Sequence, residues 1–186
     1  MKSHKIYGNH IITIDDILTT EQIKKFVDLT ENTGYEKATV NVAKGIHILQ
    51  PKLRNNARVN IEDVELANYI YNEIKKYIPN KLNGQTLIGL DSTFRCYRYN
   101  QGEYFDWHYD GATKKEPNVS LFTILIYLKN ADEGGNTEFE HLKINSKEGS
   151  CLIFPHKLLH RGAEVISGTK YVMRSDIMYS IEKNYE

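Results

Sequence analysis

The chain has few cysteines, no excess of either charge and no long apolar run, and each shortage removes a class of protein. Its two cysteines, Cys96 and Cys151, stand in separate apolar runs with no paired spacing, so buried free thiols are expected and a disulfide is not. Lys plus Arg and Asp plus Glu are both 24, which leaves no global positive field for non-specific binding to nucleic acid or to a membrane surface. No stretch approaches the roughly 18 uninterrupted apolar residues of a membrane span. The segment from Met1 to Gly8 carries no apolar core followed by a small-residue cleavage site, so a cytoplasmic location is expected. Neither repeats nor low-complexity segments occur.

What is present fits one domain over residues 1–186, with helical support and leading strands in 1–88 and the strand-rich core in 89–182. Thr19-Thr20-Glu21-Gln22 predicts a helix start, Ile23, Phe26 and Val27 follow with helical spacing, and Gly34 bounds it. Leu66, Tyr69, Ile70, Ile74 and Tyr77 predict a second helix over about Glu62 to Tyr77, stopped by Pro79. Both helices look built to cover a sheet. From Gly89 on, short runs rich in β-branched and aromatic residues predict strands at 92–99, 120–128, 137–140, 150–154, 160–165 and 170–180. Helices first and many short antiparallel strands afterwards suggest a mainly β fold with flanking helices, a cupin-like jelly-roll barrel.

Four residues then stand out: His108 and Asp110, His160 far downstream, and Lys170 ten residues later. Two imidazoles and one carboxylate form the facial ligand set that holds non-haem Fe(II) with coordination positions open. Alternate residues of an extended segment share a face, so His108 and Asp110 can meet one ion while Tyr109 points away. The pair alone is a weak signal, since a solvated loop histidine and aspartate would look the same. If the strands around His160 and Lys170 form a hairpin across Ser167-Gly168-Thr169, Lys170 lies roughly 13 to 16 Å from His160 along the sheet. An extended lysine and a metal-bound five-carbon diacid would span that gap. Lys170, Val172, Arg174 and Asp176 share one face, which is either solvent or a polar interior. His141 and His156 in loop-like segments, and His47 in an apolar run, are read as surface or core residues and not as ligands. The segment from Lys52 to Arg58 is either a lid over the site or a solvated connector.

The segment Arg98 to Gly111 resembles the iron-binding stretch of prolyl 4-hydroxylase-like Fe(II)/2-oxoglutarate-dependent dioxygenases. Further matches are Gly134-Gly135-Asn136-Thr137-Glu138-Phe139, and His160-Arg161-Gly162 leading through Gly168-Thr169-Lys170-Tyr171 to Arg174-Ser175-Asp176-Ile177. The resemblance runs from about Leu90 to Tyr179 in the family's order and spacing. It implies a double-stranded β-helix, with His108, Asp110 and His160 as iron ligands and Lys170 on the distal carboxylate of 2-oxoglutarate. Tyr99 and Tyr127 match tyrosines that contact the cosubstrate, although an aromatic core role fits them as well. Phe154-Pro155 stands where the collagen-type enzymes usually carry a tryptophan, a departure that bears on the substrate subgroup.

The resemblance implies hydroxylation of an unactivated C–H bond with Fe(II), 2-oxoglutarate and dioxygen, and ascorbate as reductant. Prolyl residues of a protein or peptide lead as substrate, followed by a free amino acid or another small molecule. Arg174, nearer the metal than Lys170, either contacts substrate or the ligand shell, or merely pairs with Asp176. Three other readings remain: a non-catalytic cupin-like binding module, a zinc hydrolase and an oxidative nucleic-acid demethylase. The first two leave Lys170 with little to do, and balanced charge disfavours nucleic acid as a partner.

Overall fold

The computed structural model describes residues 2–8, 10–43 and 46–181. Helix α1 (Thr20–Thr33) starts in a reciprocal cap: Gln22 N–H donates to Thr19 Oγ1 at 3.2 Å and Thr19 N–H donates to Gln22 Oε1 at 2.9 Å. Gly34 ends it at φ 91°, a conformation that costs glycine little. Helix α2 (Val64–Ile74) begins later than the periodicity suggests. The Asp63 carboxylate accepts from Leu66 N–H at 2.8 Å, and Glu62 belongs to the preceding strand Ala57–Glu62. A single 3-10 turn, Lys75–Tyr77, completes the predicted span.

The remaining chain is mainly strand. Among the described residues the large sheet has 11 strands, and its principal path runs His4–Tyr7, Ile11–Ile14, Cys151–Pro155, Asn118–Lys129, Lys170–Ile181, Thr93–Tyr99, Ala57–Glu62, Glu36–Lys37. A second sheet of four strands is ordered Phe105–His108, His160–Gly162, Thr137–Phe139, Leu142–Ile144. Residues on one side of the large sheet, such as Cys96, Ile124, Ile126, Ile153 and Met173, pack with Phe26 of α1 and Ile70 and Ile74 of α2. Their alternates Tyr97, Tyr99, Tyr127, Leu152, Phe154 and Val172 pack with Phe139 and Ile144 of the small sheet. Both sides of the central strands are therefore buried, so they read as continuous apolar runs. Both cysteines are buried and free.

Two expectations require correction. Among the described residues the sheets do not close by hydrogen bonding into a barrel; the architecture is a jelly-roll sandwich with open edges. Nor do the strands flanking Ser167-Gly168-Thr169 form a hairpin. His160–Gly162 lies in the small sheet between Phe105–His108 and Thr137–Phe139, whereas Lys170–Ile181 lies in the large sheet between Thr93–Tyr99 and Asn118–Lys129. Between them Val165–Ser167 pairs with Glu133–Gly134, so the chain crosses from one sheet to the other. Period-two patterning assigns faces within a strand but does not choose its partner.

Candidate active site

The two sheets bring the candidate residues together through register. His108 and His160 are directly opposed across their antiparallel pair, and their ring centroids lie 4.2 Å apart. A bulge between Phe105 and His108 turns two residues that would face opposite ways onto the same side. Phe105 consequently stacks on the His108 ring at 3.5 Å and 12°. Asp110 follows at the strand end, held by its N–H to the carbonyl of His156 at 3.1 Å. Tyr109 points outward, 63% exposed. One ligand atom each from His108, Asp110 and His160 lies within 4.8 Å of the others.

The hydrogen bonds around this cluster select its protonation states. His108 Nδ1 faces the carbonyl of Asp106 at 2.7 Å and His160 Nδ1 faces that of Leu158 at 2.9 Å. A carbonyl only accepts, so each Nδ1 carries the proton and each Nε2 lone pair is free. The two Nε2 atoms lie 3.8 and 3.6 Å from the Asp110 oxygens. Burial pushes the His108 pKa down to about 4, the neighbouring His160 adds to this, and Asp110 opposes it; burial likewise lowers His160. For Asp110 burial works upward, but the Arg174 guanidinium and the two imidazoles outweigh it and hold the carboxyl well below its usual range. Two neutral lone pairs and one carboxylate converge with no proton between them. This donor set suits a divalent cation with open coordination positions.

Asp110 is aimed by a relay from elements far apart in sequence. Thr123 Oγ1 donates to Asp110 Oδ2 at 2.6 Å and, having spent its proton, accepts from His156 Nδ1 at 2.9 Å. His156 Nε2 then accepts from Ser120 Oγ at 2.7 Å. His156 is thus a buried positioning residue behind the cluster of His108, Asp110 and His160. Exposed His141 plays no part, and the side chain of His47 lies outside the described residues. Arg174 Nη2 donates to Asp176 Oδ1 at 3.0 Å, and its Nε lies 3.4 Å from Asp110 Oδ2 without hydrogen-bond alignment.

An inner pocket extends from the cluster, with Leu125 and Val172 as apolar walls and Lys170 and Thr137 among its lining. Lys170 is only 4% exposed, and its ammonium donates to the Gly135 carbonyl at 2.6 Å. The rings of Tyr99 and Tyr127 lie 5.5 and 5.6 Å from Nζ. Among the described residues it makes no ion pair. Gly135, at φ 64°, presents this carbonyl, and a Cβ there would lie 3.2 Å from Val165 and 3.4 Å from Lys170 Cδ. Tyr99 lines the pocket, whereas Tyr127 lies behind it and donates to Thr137 Oγ1 at 2.9 Å. A buried ammonium without a carboxylate, facing a pocket that ends at the His108, Asp110 and His160 cluster, fits an acid whose far end is anionic.

Burial lowers the Lys170 pKa to about 8, which fixes the sign of a pH effect. Between pH 8 and 10.5 the unfolded chain holds this proton and the folded one does not, so the empty fold gains stability as pH rises across that window. Anion binding runs the other way. Affinity for a dianionic acid should fall as pH rises above about 8, and Lys170→Arg should flatten that dependence; titration calorimetry between pH 7 and 9.5 reads both. An affinity independent of pH in the wild type would remove Lys170 from this role.

Arg54, Phe105, Thr123, Thr137, Asp176 and His156 complete the site without having been singled out individually as site residues in the sequence. The segment around Arg54 is packed against the site and is not a solvated connector. Arg54 forms a bridge with Phe105, its guanidinium lies 4.0 Å over the Phe105 ring, and Arg54 and Asn56 are buried. The run of cationic and amide residues was visible, but its burial depends on the aromatic ring it covers.

Comparison with known proteins places this geometry. Residues 94–175 match the family model described as the 2OG-Fe(II) oxygenase superfamily. A PKHD-type hydroxylase of Alteromonas mediterranea is 24% identical over 183 residues, covering 86% of this chain and 74% of that protein. Among solved structures, a viral collagen prolyl hydroxylase of Paramecium bursaria Chlorella virus-1, in complex with 2OG, superposes with a TM-score of 0.68 at 22% identity, covering 94% of this chain and 98% of its own. A Trichoplax adhaerens prolyl hydroxylase, in complex with a peptide fragment of the hypoxia inducible factor oxygen degradation domain, gives 0.68 at 17% identity, covering 95% and 86%. At these identities the two structures speak for the fold.

Proposed function

We propose that the chain, whose residues 94–175 match the 2OG-Fe(II) oxygenase superfamily model, is a 2-oxoglutarate-dependent dioxygenase that hydroxylates a prolyl residue of a protein or peptide. In this reading His108, Asp110 and His160 hold Fe(II), and Lys170 receives the distal carboxylate of 2-oxoglutarate. Tyr99 walls the cosubstrate, and Tyr127 acts behind it through Thr137. The observation that carries the reading is the buried, carboxylate-free Lys170 ammonium at one end of a pocket whose other end is the His-Asp-His cluster. Bound Fe(II) would supply the oxidative chemistry, coupling decarboxylation of the keto acid to succinate with insertion of one oxygen atom from dioxygen into a C–H bond.

The protein's own work is binding and orientation. The Nδ1–H bonds to the Asp106 and Leu158 carbonyls hold both Nε2 lone pairs in place, and Thr123 fixes the Asp110 carboxylate. Arg174 spreads part of the Asp110 charge, and Leu125, Val172 and Phe105 exclude water from the cosubstrate. A prolyl target is supported by the prolyl hydroxylases among the structural relatives. Trp107 and Tyr109, 36% and 63% exposed beside the cluster, offer aromatic surface of the kind proline-rich segments dock on. Buried free thiols accord with a reducing compartment, and in this reading that compartment is the cytoplasm and ascorbate is the reductant. No described helix is long and apolar enough to cross a membrane.

Succinate release with Fe(II), 2-oxoglutarate and ascorbate tests the reading, using proline-containing peptides and free amino acids followed by mass measurement. The expected result is succinate coupled to the gain of one oxygen on a peptide. Coupling only with a free amino acid would move the substrate to the small-molecule class. No succinate under any condition would remove the enzymatic reading and favour a binding module.

A further inference from the structure

A second cleft, which Lys170 does not line, meets the inner pocket at His108, Asp110 and Arg174. Four arginines line it, Arg54, Arg58, Arg95 and Arg174, and Asp110 is the one carboxylate among its lining residues. Arg95 and Arg174 are already balanced, because the buried Asp176 binds both and Arg174 also lies against Asp110. Arg54 and Arg58 are not: among the described residues neither makes an ion pair.

Arg54 is prepared for a ligand in several respects. It is 5% exposed, its Nε is pinned to Asn56 Oδ1 at 3.1 Å, and its plane is held between Phe105 at 4.0 Å and Tyr97 at 5.0 Å. Its buried Nη2 has no hydrogen-bond partner, and a donor left in this condition needs an acceptor. Arg58 donates to Thr39 Oγ1 at 3.2 Å. Burial lowers its pKa, and Arg54 and Arg95 push it the same way against Tyr97 and Glu36. Unbalanced cations forced together in a half-buried cleft attract an anion. The stack of Arg54 on Phe105 and Phe105 on His108 puts such an anion one aromatic ring away from the proposed metal face.

We propose that this cleft recognises a carboxylate on the substrate, held by the planar fork of Arg54 and by Arg58, so that a C–H bond near that carboxylate faces the His108, Asp110 and His160 cluster. The proposal rests on the dioxygenase reading and narrows its substrate. Two sources supply the group: an acidic side chain beside the target residue of a peptide, or the α-carboxylate of a free amino acid. A fixed guanidinium fork matches a planar two-oxygen acceptor better than a neutral amide does.

The test is binding of matched probes to the protein supplied with Fe(II) and 2-oxoglutarate under anaerobic conditions, read by titration calorimetry. One arm pairs end-blocked peptides carrying Glu-Pro or Gln-Pro. The other pairs free amino acids with their amides. In at least one arm the acid is expected to bind about tenfold more tightly than its amide or better, the scale of one charge-assisted hydrogen bond. The peptide arm points to an acidic side chain, the amino-acid arm to the α-carboxylate. Arg54→Lys, which keeps charge but loses the fork, and Arg58→Gln, at a half-buried position, should each cut the preference about fivefold or more. Equal binding of acid and amide in the wild type in both arms overturns the proposal, whatever the variants do. Succinate release across the peptide and amino-acid probes reports on the dioxygenase reading separately: acid-selective binding with no succinate under any condition keeps the carboxylate site and loses that reading, and the reverse pattern loses this inference alone.

Discussion

His108→Ala is expected to abolish 2-oxoglutarate turnover while the domain stays folded. The substitution removes one of three converging ligand atoms, and the two left cannot hold a divalent cation on one face with positions open for the keto acid. The structural cost is modest. His108 lies at the end of a short strand, and what is lost is its stack on Phe105 and one hydrogen bond to the Asp106 carbonyl. Such a loss is worth about 1 to 2 kcal/mol. Succinate release should fall to background, with far-ultraviolet circular dichroism and a cooperative thermal transition unchanged in form. Iron-dependent turnover retained by a folded His108→Ala protein would count decisively against the ligand assignment.

Asp176→Ala should produce the largest stability loss of any single change at the site. Asp176 is completely buried and receives Arg95 Nη1 at 3.0 Å, Arg174 Nη2 at 3.0 Å and Thr113 Oγ1 at 2.5 Å. Without it two guanidinium groups lose their shared counterion, and Arg174, with a side chain only 11% exposed, keeps Asp110 alone as a counterion among the described residues. Breaking a buried pair from one side costs about 3 to 5 kcal/mol. At about 2 to 4 °C per kcal/mol for a chain of this size, the melting temperature should drop by about 10 °C. Asp176→Asn, which keeps one acceptor oxygen and the shape, should lose less. A melting temperature within about 2 °C of wild type for the alanine variant would show that water or a rearranged Arg174 replaces the carboxylate.

The cluster was legible in advance to an uneven degree. His108 and Asp110 could be paired from their spacing, because a strand sends alternate residues to one side, and the outward Tyr109 agrees. Both helices could be placed from their apolar periodicity and caps. The direction of approach of Lys170 could not. A hairpin with the strand of His160 was the natural reading of a Ser-Gly-Thr turn, yet Lys170 pairs with Tyr99 in the other sheet. The lysine therefore enters the pocket from the opposite wall. The Ser120, His156 and Thr123 relay was equally hidden: each is an ordinary polar residue, and only their distances to one another and to Asp110 give them a task.

Sequence by itself determined which side chains this chain can bring to a site, two histidines, an aspartate and a lysine at fixed spacing, and the apolar periods that make helices and strands. Tertiary structure alone decided which strands are neighbours, and with that the opposition of His108 to His160, the burial of Arg54 against Phe105 and the cleft of unbalanced arginines. The reason is physical. Side-chain period is a local property of the backbone, whereas strand order is set by the summed packing of residues far apart in the chain, and no local segment contains that sum.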